Sequence, residues 1–156
     1  MSSDKETKGI EATIIIEVIG RPPEHLTETL NDMIKNIDAE KGVSVTGKKL
    51  NEPVLMKDQK DFYVTFAEVD LEIDEIVQLF MISLKYMPAN IEIVHPELIA
   101  MTKDRWNTLV NELLMKLHQY DEVARILQTE KLILEKKLKA LTPKVEVTED
   151  KEEKKD

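Results

Sequence analysis

A heptad run near the C-terminal end constrains this chain more than any other feature. From Trp106 to Leu141, one frame places Trp106, Leu113, Tyr120, Leu127, Leu134 and Leu141 at d. The same frame places Val110, Leu117, Ala124, Lys131 and Leu138 at a. Only Lys131 is neither apolar nor aromatic, which matches a coiled-coil seam. Thr102 and Asp104 are N-cap candidates, and Pro143 stops the helix. At 1.5 Å per residue, about 38 residues make a rod of roughly 57 Å. Such a rod is too long to lie wholly on one small domain. Leu109, Leu114, Val123, Ile126, Leu132 and Ile133 add a second stripe. Two arrangements account for it. The first half packs on the chain's own sheet while the second half pairs with another chain, or a generously apolar helix wraps one core.

Upstream, the pattern alternates between two periods. Residues 11–19 are rich in β-branched side chains and stop at Gly20, as a strand does. Pro22 and Pro23 open a helix over residues 24–40, whose apolar face is Leu26, Leu30, Met33, Ile34 and Ile37. Gly42 ends it, and residues 43–46 alternate as a strand. Residues 47–56 read as an irregular excursion containing Pro53, and 57–61 as a polar turn. Residues 62–73 give a second long strand. Asp74 is placed to cap a helix that runs to Pro88, and residues 90–94 form a short last strand. The order is strand, helix, strand, strand, helix, strand. It predicts an α+β fold, a ferredoxin-like βαββαβ sandwich with both helices on one face of a four-stranded antiparallel sheet, followed by a long C-terminal α-helix. The expected organisation is a disordered N-terminus over 1–10, the α+β domain over 11–100, the helix over 101–142, and a disordered charged tail over 143–156.

Charge and composition exclude several functions. The formal net charge is −9, and residues 1–101 carry 10 basic against 19 acidic side chains. Such a domain repels a phosphate backbone. Tyr63-Val64-Thr65-Phe66 superficially matches an RNA-recognition strand. However, Gln59-Lys60-Asp61 replace the basic residue and glycine expected before it, and the first strand has no aromatic residue. No nucleic-acid partner is expected. Cysteine is absent, so disulfides and thiolate chemistry are excluded. No apolar run of 18 residues exists to cross a membrane, and the N-terminus lacks a secretory segment. His25, His95 and His118 show no ligand spacing, so no metal is expected. Glu68, Asp70, Glu72, Asp74 and Glu75 form an acidic run that could gather a cation but reads better as a solvated strand end. No nucleophile–base pair or phosphate loop is present, so neither an enzyme nor a cofactor is expected.

Two features point to interaction. In the strand 62–73, Phe62, Val64 and Phe66 share a side with the acidic Glu68, Asp70 and Glu72, while the opposite side is apolar. Both sheet faces are thus partly apolar, and helices cover only one. The uncovered face is expected to meet protein through Phe62, Val64 and Phe66. The arm is expected to do so through Val110, Leu113, Leu117, Tyr120, Ala124, Leu127, Leu134 and Leu138. A third feature, the loop Gly20-Arg21-Pro22-Pro23-Glu24-His25, could bind an anion at a helix start, with Gly20, Arg21 and His25 as the contacts. A solvated rigid turn is the alternative.

The strand-loop-helix Ile14–Leu30, with Pro22-Pro23 at its turn, resembles the opening of ACT-type regulatory domains. That resemblance implies the same topology and a small ligand near the turn. Glu24 departs from the pattern, since a glycine commonly follows the proline there. More of the chain, about residues 11–120, is similar to an uncharacterised family of small archaeal proteins. The similarity lies in Gly20-Arg-Pro-Pro-Glu-His-Leu26, Thr65-Phe-Ala-Glu-Val-Asp70, the stretch Tyr86–Glu97 and Asn111–His118. It implies an archaeal, cytoplasmic setting and no chemistry. The leading expectation is a non-enzymatic assembly module that forms a homo-oligomer, as a dimer, or binds a partner helix. The alternative is an ACT-like domain binding a small ligand at the first strand–helix loop.

Overall fold

The computed structural model describes residues 6–57 and 61–141. Two compact units are distinguished, Met1–Leu114 and Met115–Asp156.

The first unit is mixed α+β. Its sheet is antiparallel throughout and has five strands: β1 (Lys8–Gly20), β2 (Val43–Leu50), β3 (Val54–Leu55), β4 (Tyr63–Glu75) and β5 (Asn90–His95). The order is β2-β4-β1-β5, with β3 pairing β4 beyond the end of β2. The helices are α1 (Pro23–Asp38), α2 (Ile76–Tyr86) and α3 (Lys103–Leu141), the last continuing into the second unit.

Alternation along the two long strands builds the core. Ile10, Ala12, Ile14 and Ile16 of β1 are buried, as are Ala67, Val69, Leu71 and Ile73 of β4. The register sets Ile14 against Val69 and Ile16 against Ala67, so these residues share one face. Leu30, Ile34 and Ile37 of α1 and Leu79 and Ile82 of α2 close over that face in the same apolar cluster. The 3.6-residue spacing of the α1 residues puts them on one stripe. Thr65 is a buried polar residue on this face, and its hydroxyl donates to the Asn51 carbonyl at 2.6 Å.

Helix ends follow local chemistry. Pro22 is the N-cap of α1, and Pro23 occupies the first turn, where a missing N–H leaves no partner unsatisfied. Gly42 follows α1 with φ +74°. An added Cβ there would stand 2.8 Å from Gln78 Nε2. Met87 ends α2 in the left-handed region, and its N–H donates to the Ser83 carbonyl at 3.1 Å. Thr102 starts α3: its hydroxyl oxygen accepts from the Arg105 N–H at 3.3 Å and its carbonyl from the Trp106 N–H at 3.0 Å.

Four expectations are corrected. The sheet has five strands, because residues 54–55 pair with Val64 and Tyr63 instead of forming a purely irregular excursion. The strand at residue 43 runs on to Leu50 through a register shift between Val45 and Gly47. Lys8, Gly9 and Ile10 belong to β1 and are not a disordered lead-in. Ile10 is fully buried opposite Ile73, and the Thr7 N–H donates to the Ala100 carbonyl at 2.9 Å. Asp74 does not cap α2. It lies within β4, its N–H donates to the Gly42 carbonyl at 2.9 Å, and Glu75 is the N-cap, its side chain making no capping bond to the helix. The strand simply stays paired to the residue where the helix begins. The expected tail over 143–156 lies outside the described residues.

Leu30 is fully buried beneath the sheet. Leu30→Ala is expected to lower unfolding stability by about 2–5 kcal/mol, read from urea melts. Gly42→Ala is expected to lower it by about 1–2 kcal/mol, because an L side chain meets the left-handed penalty there.

Candidate functional site

Three surfaces stand out on the molecule: the sheet face that α1 and α2 leave uncovered, the exposed stripe of α3, and a cleft beside α2.

The uncovered face divides into two ends. Across β1 and β4, Ile19 is opposite Val64 and Glu17 is opposite Phe66. Val54 of β3 is opposite Val64 on its other side. Val64 is half-buried, while Ile19, Val54 and Phe66 are exposed, Phe66 at 39%. These residues form a small apolar end. The other end is acidic. Glu11 stands directly opposite Glu72, and Thr13 opposite Asp70, to which its hydroxyl donates at 2.7 Å. Gly47 makes room for Asp70, since a Cβ there would fall 2.7 Å from its Oδ2. Glu68 has Lys49 across from it on β2.

Of the sequence-expected contacts on this face, Val64 and Phe66 come together. Phe62 precedes β4, is half-buried, and carries the Arg21 guanidinium over its ring at 5.3 Å. Ile19 and Val54 complete the apolar end. Val54 was hidden in sequence because a two-residue strand leaves no periodic signal.

The loop residues are engaged locally. Gly20 pairs with Tyr63 at the end of β1. Arg21 lies over Phe62, and His25 Nδ1 is 3.3 Å from Glu28 Oε2 one helical turn on. The three do not converge on a common point beyond the turn itself.

The helix α3 begins in the first unit. Arg105 ties it there: its Nη1 donates to Glu75 Oε2 at 2.8 Å, and its Nε lies 3.4 Å from Glu6 Oε2. Leu109 is buried and Val110 half-buried. From Leu113 the apolar residues are exposed. Leu113 is 38% exposed and Leu134 is 64%, with Leu117, Tyr120 and Leu127 between these values. Ala124 and Leu138 are exposed as well. Described by itself, the helix of the second unit holds two ion pairs one turn apart, Asp121 with Arg125 at 2.7 Å and Lys131 with Glu135 at 3.8 Å. Leu127, Lys131, Leu134 and Leu138 line one shallow groove, flanked by Glu130 and Glu135. The second stripe is also exposed, at Leu114, Val123, Ile126, Leu132 and Ile133.

The cleft beside α2 has a volume of about 390 Å³ and is lined by Glu40, Gln78, Met81, Lys85, Tyr86 and Arg105, among others. Lys85 Nζ donates to Glu40 Oε1, and the Tyr86 hydroxyl donates to the same oxygen at 2.8 Å. The bond from Lys85, then that from Tyr86, holds the Glu40 carboxyl below its usual range. The bond to Glu40 raises the Lys85 ammonium. Burial, then the bond to Glu40, raises the Tyr86 phenol. Gln78 Oε1 is buried without a hydrogen-bond partner among the described residues. Glu40 and Glu75 already pair with the cations Lys85 and Arg105, which leaves little attraction for an anion. Among the described residues no group of three or more His, Asp or Glu is placed to hold a metal ion, and no helix is long and apolar enough to cross a membrane.

The profile of one protein family, the MJ0538 family, matches residues 11–153. The chain belongs to the MJ0538 family. The match takes in β1 from Glu11 onward, the other strands, the three helices and the sequence up to residue 153. No curated protein and no solved structure shows a significant match.

The lowered Glu40 carboxyl contributes stability above its ordinary value of 4.5 and loses that contribution as pH falls through the folded value. The raised Lys85 ammonium contributes below 10.5 and loses it as pH climbs past the folded value. Glu40→Gln is therefore expected to melt below the parent at neutral pH, with the gap closing under pH 4.5. Melting temperature against pH for both proteins checks this.

Proposed function

We propose that this member of the MJ0538 family is a non-enzymatic assembly module. The residues after the first unit form an arm that associates as a coiled coil with a second copy or a partner helix. The apolar end of the open sheet face, Val64 and Phe66 with Ile19 and Val54, serves as a secondary contact. The carrying observation is the arm itself: one unbroken helix from Lys103 to Leu141 in which Leu113, Leu117, Leu127, Leu134 and Leu138 share one heptad seam and are exposed. An isolated helix gains little from its own hydrogen bonds in water, and burial of an amphipathic face against another element supplies most helical stability. Contiguous exposed apolar surface of this kind marks an interaction site. We further read residues 11–100 as a ferredoxin-like sandwich, supported by the two strand–helix–strand halves and by both helices packing on one face. A cytoplasmic setting in an archaeon belongs to the same proposal.

Leu127→Asp with Leu134→Asp places two carboxylates in the seam. The double variant is expected to have a lower solution mass by light scattering than an assembled parent, with the far-UV signature of the first unit retained. An unchanged mass against an assembled parent would sink the assembly reading. A melting temperature that instead climbs with added amino acid would favour the ligand-loop alternative at Gly20, Arg21 and His25.

A further inference from the structure

The assembly reading leaves the occupant of the seam open, and the charges beside the seam narrow it. We infer that the occupant is the same helix of a second copy of this chain, laid parallel and in register as a two-stranded coil. This inference rests on the proposed function above and adds partner and orientation to it.

The heptad frame puts Lys116, Val123, Glu130 and Lys137 at g, and Leu114, Asp121, Gln128 and Glu135 at e. In a parallel pair, each g residue meets the e residue five positions further along the other helix. Lys116 then faces the partner's Asp121, and the contact occurs twice by symmetry. Lys131 at a packs beside the partner's Glu130 at g. Glu130 also meets the partner's Glu135, a like-charge contact. Lys131 sits between them, already 3.8 Å from Glu135 of its own helix, and offsets that contact. In an antiparallel pair with full overlap, g meets g and e meets e. Lys116 then opposes the partner's Lys137, and Leu114 opposes the partner's Glu135. That arrangement contains no oppositely charged flanking pair. Charge complementarity therefore selects the parallel one.

The seam itself selects two strands. Leucine at d at positions 113, 127 and 134 suits a parallel dimer. Lys131 is the lone charged a residue. In a two-stranded coil its stem can lie along the seam while the ammonium reaches water and the Glu130 carboxylate at the rim. A wider bundle would bury that charge. Any axial slip by a heptad moves Lys131 against an apolar a residue, so the same residue sets the register.

The absence of cysteine makes the test clean, because one introduced cysteine is the only thiol in the chain. Leu134→Cys in the full chain, equilibrated in a glutathione redox buffer, is expected to become a disulfide-linked dimer for most of the protein. Thr129→Cys, at f on the outer side, is expected to remain largely reduced. Leu113→Cys, three heptads earlier at d, is a second reporter and is expected to cross-link like Leu134→Cys. In the antiparallel overlap the two Leu134 positions stand about 25 Å apart, too far for a disulfide. There, only a mixture of Leu117→Cys with Leu134→Cys would cross-link. Cross-linking in that mixture alone, or equal cross-linking by Thr129→Cys, overturns the parallel orientation while a parent mass of two chains keeps the assembly reading. A parent mass of four chains overturns the two-stranded coil. A parent mass of one chain overturns this inference and the self-association form of the assembly reading, leaving that reading only its partner-helix form.

Discussion

The first unit depends on the pairing of β1 with β4. Twelve residue pairs run from Lys8 opposite Glu75 to Gly20 opposite Tyr63. Every other strand attaches to this pair, β5 to β1 and β2 and β3 to β4. The register also decides which side chains meet the helices. A slip of one residue would turn Ile14 and Val69 outward and bring Ile15 and Glu68 against α1 and α2. Burying Glu68 there would cost far more than the slip could return. The acidic residues on the outer face thus hold the register as firmly as the apolar ones on the inner face.

The outer face is divided for a related reason. Glu11, Glu72, Asp70 and Glu68 crowd one end, where Glu11 and Glu72 are direct neighbours of like charge. The Thr13 hydroxyl on Asp70 and Lys49 across from Glu68 relieve that end. Such a surface disfavours polyanions. The other end carries Ile19, Val54, Val64 and Phe66, with Glu17 opposite Phe66. Exposed apolar surface on this face is therefore concentrated at one end of the sheet.

The long helix poses the opposite problem. The first unit needs little from it beyond the Arg105 anchor and Leu109, which is buried apart from the main apolar cluster. The remaining turns carry leucine and isoleucine at a density that water does not favour. The ion pairs of Arg125 and Lys131 are exposed one-turn contacts, each worth little. A lone helix gains little stability from its own hydrogen bonds in water, and the assembly proposed above would supply the burial that this segment lacks.

Much of this was legible in the residues themselves. The 2-residue period in β1 and β4, the 3.6-residue period in α1 and the heptads of α3 are local repetitions, and each element follows from side chains that must share a face. Pro22, Gly42 and Pro88 punctuate them through backbone restrictions that act within a residue or two. Other features depend on residues distant in sequence. Val54 reads as loop until β4 offers it a partner, and Asp74 reads as a cap until Gly42 claims its N–H. Thr7 to Ile10 look like a polar lead-in until Ala100 bonds to Thr7 and Ile73 pairs with Ile10. Arg105 looks like any basic residue of a helix start until Glu75 and Glu6 close on it. The sequence by itself determined the elements, their order and the heptad seam, because periodicity is written in consecutive residues. Only the tertiary structure decided the ends of the strands, the fifth strand, the split of the outer face and the anchor of the arm, because each is a pairing between groups that the chain brings together only when folded.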